Sequence, residues 1–142
     1  MIDYEIIGDD LQAVIVTLDP GEAMVAEAGA MMYLEDDIEM GTSLTMKKDG
    51  GGLFGKLFEA GKRVVTGESF FITIFANQGG QRRDVGFGAP YPGHVIPVEL
   101  GDFNGGLLCQ KDAFLCAAQG IEVDIAFTKR FGAGFFGGEG FI

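Results

Sequence analysis

KKDGGGLFGKLFEAGKRVVTGESFFITIFAN, residues 47–77, holds the reading on which the fold turns. Its last nine residues alternate as a strand. Phe71, Thr73 and Phe75 fall on one side, and Phe70, Ile72, Ile74 and Ala76 on the other. Both sides are largely apolar, so the strand is expected to be buried on both faces. Upstream the period changes from two to nearly four. At about 100° per residue, Leu53, Phe54, Leu57, Phe58, Ala60, Gly61, Val64 and Val65 share one arc, and Gly55, Lys56, Glu59, Lys62 and Arg63 the other. This predicts one short amphipathic helix over 53–65, between the break at Asp49–Gly52 and the turn at Thr66–Glu68. Its two internal glycines cost about 1 kcal/mol each relative to alanine, so the helix depends on packing of its apolar face.

Around this stretch the chain reads as short strands. Tyr4–Ile7 and Leu11–Leu18 flank Gly8-Asp9-Asp10, a hairpin composition, and Asp19-Pro20-Gly21 is a second turn. Ala23–Ala28, Ala30–Leu34 and Ile38–Met46 follow, then Asp84–Gly88 and His94–Leu100 beyond the polar turn Gln78–Arg83. Glycine makes up 24 of 142 residues with no triplet period, which fits many tight turns rather than collagen. The 47% apolar content and 13 phenylalanines suit one folded β domain with its own core.

Charge and cysteine usage exclude several classes of function. The formal charge is −11, from 21 acids and 10 bases, which argues against a nucleic-acid partner. Residues 47–65 alone carry +3, leaving −14 on the rest, so the predicted helix is a basic patch on an acidic body. Cys109 and Cys116 are the only cysteines and His94 the only histidine, too few for a zinc site. They read as free thiols of a reducing compartment. His94 recruits no serine, cysteine or paired carboxylate by spacing, and reads as a structural or surface residue. The acidic run Glu35-Asp36-Asp37 lacks calcium-loop spacing and reads as a solvated turn. No cofactor is expected. The N-terminus has no basic, apolar leader, and the run Phe70–Ala76 is too short to span a bilayer, so a soluble, cytoplasmic protein is expected.

Val25–Met40 also lies on Leu108–Val123 without gaps at a spacing of 83. Ala30 meets Ala113, Ile38 meets Ile121 and Glu39 meets Glu122, and the apolar pattern matches. Each copy then runs through a glycine-rich, phenylalanine-bearing segment to a Gly-Glu turn, Gly67-Glu68 and Gly138-Glu139. The second copy stops at Ile142, where its counterpart of the central strand would begin. A sandwich or β-helix lacking that strand exposes an apolar face and an open edge. The expectation is therefore a domain incomplete at its C-terminus, or one completed by a neighbouring subunit. From Gly29 to Gly67 is 38 positions and from Asp112 to Gly138 is 26; the difference of twelve is about the length of the predicted helix.

The strings PGEAMVAEAGAMMYLEDDIEM, GESFFITIFAN, PGHVIPVEL and LLCQKDAFLCAAQGIEVD, with the closing GGEGF, resemble the AIM24-type family, also known as domain-of-unknown-function 124. The resemblance spans the whole chain. It implies an all-β, jelly-roll sandwich or double-stranded β-helix, of the type seen in the tryptophan RNA-binding attenuation protein, built by duplication. It brings no catalytic residues. It also implies eukaryotic relatives linked to mitochondrial inner-membrane organisation, and members that continue past the GEGF turn.

These readings lead to a non-enzymatic, homo-oligomeric β-scaffold or binding protein. Its candidate contact with a membrane surface or partner protein is Leu53, Phe54, Lys56, Leu57, Phe58, Lys62 and Arg63. The plainer alternative is that this helix covers one end of its own sandwich. RNA binding by analogy of fold is opposed by the charge, and a cupin-like metal enzyme by the single histidine.

Overall fold

A computed structural model describes residues 2–27, 29–42 and 72–123. The predicted helix over 53–65, and residues 69–71 of the central strand, lie outside these residues.

Among the described residues, eight strands form two antiparallel four-stranded sheets. They are β1 (Asp3–Ile7), β2 (Ala13–Leu18), β3 (Ala23–Glu27), β4 (Met31–Leu34), β5 (Ile38–Thr42), β6 (Ile72–Asn77), β7 (Arg83–Gly88) and β8 (Cys116–Ala118). The first sheet has the order β1-β2-β7-β4, the second β5-β6-β3-β8. The hairpin expected at Gly8-Asp9-Asp10 forms: β1 and β2 pair from Asp3–Thr17 to Ile7–Ala13, and Gly8 takes the positive φ of 91° that glycine accepts freely.

Alternation decides which face of each strand goes inward. Along β2, Val14, Val16 and Leu18 are buried while Ala13, Ile15 and Thr17 are only half-buried. Val85 and Phe87 of β7 lie opposite Val16 and Val14 in register and join the same core. Met24 and Ala26 of β3, Ile38 of β5 and Phe75 of β6 close that core from the second sheet. Phe75 and Phe87 meet across it edge to face, ring centres 5.1 Å apart at 79°.

The second sheet is buried on both faces at its centre, as the double-sided pattern of residues 69–77 predicts. Thr73 and Phe75 look into the sandwich. Ile74 and Ala76 pack on the other side with Ala23 and Val25, together with Ile72, Ala117 and Val123. Registers of Val25 against Ile74 and Ala23 against Ala76 put these small apolar groups directly opposite one another.

Among the described residues, one expected strand does not form. Residues 94–99 join no sheet, and the nearest pairing is an isolated bridge between Leu11 and Gly93. Pro97 explains part of this, because it offers no N–H to a ladder on one of the two edges. The chain then makes a short 3-10 turn at Leu100–Phe103, closed by Asn104 in the left-handed region.

The spacing of 83 reappears in the backbone. Ala30 N–H donates to the Glu27 carbonyl and Ala113 N–H to that of Gln110, both at 3.0 Å. Ile38 N–H donates to Glu35 at 3.4 Å, and Ile121 N–H to Ala118 at 3.2 Å. Asp37 and Gly120, also 83 apart, both take positive φ, 66° and 92°.

Candidate docking surface

The residues put forward from sequence as a contact, Leu53, Phe54, Lys56, Leu57, Phe58, Lys62 and Arg63, lie outside the described residues. What the described residues offer is a second surface, which begins at a glutamine. Gln12 leaves the β1–β2 loop and ties down the segment after Gly93. Its Oε1 accepts from the Val95 N–H at 2.8 Å, and its Nε2 donates to the Gly8 carbonyl at 3.2 Å. Gly93 N–H donates to Asp10 at 2.7 Å, and Gln12 N–H to the Gly93 carbonyl at 3.3 Å. These bonds hold His94–Glu99 along the first hairpin, with Val95 half-buried against the core.

Beyond that anchor the apolar side chains face outward. Ile96 is 77% exposed and Val98 41%, and Tyr91, Phe103, Leu107 and Leu108 are exposed as well. Exposed apolar residues scattered singly are ordinary on a protein surface. Here six large apolar residues fall within one stretch of eighteen, 91–108. Ile96 precedes a proline and is thereby kept in extended backbone. Glu99 is extended as well, at φ −91° and ψ 112°. The apolar run His94–Leu100 reads as a strand, which hides this exposure; the signal that tells against it is Pro97 inside the run.

Ion pairs occupy the opposite, acidic end of the first hairpin. Arg82 pairs with Asp3 and, at 2.9 Å, with Asp19, and Arg83 reaches Asp37 at 3.1 Å. Hydrogen bonding to Asp3 is the main cause that raises the Arg82 guanidinium above its ordinary value. All three pairs are largely exposed and act as local ties rather than large stabilising terms. Thr17 Oγ1 donates to Asp84 Oδ1 at 2.7 Å, and the Asp84 N–H to Glu35 Oε2 at 2.8 Å, so these carboxylates tie β2 to β7 and β7 to the end of β4.

The groups with nucleophilic or acid–base chemistry are dispersed. His94 is exposed beside the anchored segment. Cys116 sits on β8 against the core, where burial pushes its thiol up to about 12, which keeps it protonated and unreactive at neutral pH. Among the described residues no group of three His, Cys, Asp or Glu could hold a metal ion. No described helix is long and apolar enough to cross a membrane.

Comparison with known proteins matches residues 4–142 to the family described as mitochondrial biogenesis AIM24. An uncharacterised protein of Streptococcus pyogenes serotype M6 is 30% identical over 126 residues, which is 88% of this chain and 48% of that protein. A crystal structure of a Streptococcus pyogenes protein superposes with a TM-score of 0.59 at 23% identity, over 84% of this chain and 51% of that one. The chain thus spans about half the length of the relatives it matches.

Proposed function

The chain belongs to the mitochondrial biogenesis AIM24 family, and from that premise we propose that it is a non-enzymatic, homo-oligomeric β-scaffold acting through surface contact. The observation that carries this reading is the outward-facing apolar run of residues 91–108, fixed to a rigid sandwich by Gln12. Surface of this composition is costly to leave in water and gains by being covered. The free cysteines Cys109 and Cys116 fit a reducing, cytoplasmic setting.

The finer architecture in this proposal is a tandem duplication of the double-stranded β-helix type, as in the tryptophan RNA-binding attenuation protein. It is supported by backbone bonds and positive-φ turns that recur at a spacing of 83. The basic amphipathic segment 53–65 is then an insertion in one copy. Its Leu53, Phe54, Lys56, Leu57, Phe58, Lys62 and Arg63 are assigned to contact with an anionic membrane surface, apolar face inward and cations toward headgroups.

Two measurements test the reading. Light scattering on a sizing column is expected to give a multiple of the 15.1 kDa chain mass. Flotation with vesicles containing phosphatidylserine is expected to carry the protein up, and Phe54→Asp with Phe58→Asp to leave it at the bottom. A monomer at all concentrations removes the scaffold reading; vesicle binding indifferent to the two aspartates removes the assignment to 53–65.

A further inference from the structure

We infer that Ile96-Pro97-Val98 is a self-pairing edge strand, through which two copies of this chain join antiparallel about a two-fold axis at Pro97. The inference rests on the oligomer proposed above and assigns its contact.

In an extended chain the main-chain polar groups of successive residues point to opposite edges. Val95 spends its N–H on Gln12, toward the protein's own hairpin, and Pro97 shares that inward edge, where it has no N–H to offer. Ile96 and Val98 therefore turn their N–H and C=O groups outward. Among the described residues none of these four groups has a hydrogen-bond partner. Proline commonly protects an open edge from pairing, but here it lies on the edge that is already taken.

The same arrangement is complementary to itself. In an antiparallel ladder centred on Pro97, Ile96 stands opposite Val98 of the second copy, and Val98 opposite its Ile96. Each of these is a hydrogen-bonded pair that exchanges two bonds, giving four in all. Pro97 faces Pro97 as the non-hydrogen-bonded pair, the one position where a missing N–H costs nothing. The two Ile96 and two Val98 side chains share one face, which covers groups now 77% and 41% exposed. Glu99 falls opposite Val95, so no like charges meet even though each chain carries −11. The symmetric contact is isologous, as most homodimers are.

Four bonds between two short strands are too little for a stable dimer. Phe103, Leu107 and Leu108, exposed in the next ten residues, supply the further apolar area.

The test uses the full 142-residue chain with three substitutions, each checked for an unchanged far-ultraviolet spectrum and melting midpoint. Val98→Pro deletes two of the four bonds and is expected to raise the dimer dissociation constant at least about tenfold. Pro97→Ala restores only an inward N–H and is expected to leave the dimer intact. Pro97→Cys places two sulfurs across a pair whose Cα atoms stand about 4.5 Å apart, within disulfide reach. It is expected to give a covalent dimer on mild oxidation, with the 97–97 linkage identified by peptide mass spectrometry. An oligomer that ignores Val98→Pro and forms no 97–97 linkage overturns the strand assignment and leaves the scaffold standing; a wild-type chain that stays monomeric overturns both.

Discussion

Asn77, fully buried at the end of β6, donates from its side-chain Nδ2 to the Leu18 carbonyl at 2.9 Å and so ties the second sheet to the end of β2 in the first. The same Nδ2 donates to the Gln81 carbonyl at 2.7 Å, and Oδ1 accepts from the Gly79 N–H at 2.9 Å. Its main chain bonds the β2–β3 turn twice, N–H to the Glu22 carbonyl and carbonyl from the Gly21 N–H, each at 3.0 Å. One residue thus satisfies two turns and a strand end. Asn77→Leu keeps the size but strands the buried Leu18 carbonyl, at an expected cost of about 2–4 kcal/mol. Urea unfolding would register this as a lower midpoint with an unchanged slope; an unmoved midpoint would mean that the three side-chain bonds contribute nothing net.

Two glycines of β7 are kept small by different neighbours. A Cβ on Gly86 would stand 2.7 Å from Cδ1 of Tyr33, a stiff ring lying over the strand. A Cβ on Gly88 would stand 2.6 Å from the Met32 sulfur, the adaptable end of an exposed side chain. Gly86→Ala is therefore expected to cost about 1–3 kcal/mol, and Gly88→Ala less than about 1. Combining Gly86→Ala with Tyr33→Ala should recover most of the loss, a coupling above about 0.5 kcal/mol. Equal costs at the two glycines would defeat the argument.

These two contacts also mark where the sequence stopped being legible. Residues 72–77 announce a doubly buried strand because their apolar groups fill both alternating faces, and Gly8-Asp9-Asp10 announces a hairpin because only local backbone geometry is involved. The placement of β7 between β2 and β4, which brings Tyr33 over Gly86, is a non-local pairing with no local signal. Asn77 reads only as a strand end, since its partner Leu18 is 59 residues away. The apolar content of His94–Leu100 suggested a paired strand, yet Pro97 and the Gln12 anchor leave its outer edge open among the described residues. Of the candidate site, the basic helix over 53–65 rests on periodicity alone, while the exposure of Ile96 and Val98 follows from the Gln12 anchor, 83 residues from Val95, which leaves no local signal.

The thiol of Cys116 makes stability fall in alkali. Burial raises its pKa from 9.0 to about 12 in the folded chain. Between those values the unfolded chain has lost the proton and the folded chain still holds it, so unfolding releases a proton and each rise in pH favours the unfolded state. The loss begins near pH 9 and reaches about 2 kcal/mol by pH 10.5, at roughly 1.4 kcal/mol per unit. Cys116→Ala is expected to flatten the slope of unfolding free energy over this window relative to the parent. At neutral pH the same group should resist thiol-specific reagents until denaturant is added, and rapid native labelling of Cys116 would contradict its placement against the core.

Asp37 and Gly120 close turns of the same design 83 positions apart, each one residue before an isoleucine whose N–H returns to the carbonyl three residues earlier. Positive φ strains any side chain, β-branched ones most, while glycine is free of the strain and asparagine and aspartate bear it best. If the two are one turn present twice, they should tolerate and reject the same residues. Gly120→Asn is expected to cost less than about 1 kcal/mol and Gly120→Val about 2, with the same order at position 37. Asp37→Gly relieves strain but gives up the exposed pair with Arg83 at 3.1 Å, so it should be close to neutral. Thermal midpoints of the five single variants decide the matter. Valine accepted at either position would show that its turn does not need the left-handed backbone, and would remove the conformational ground for treating the two segments as copies.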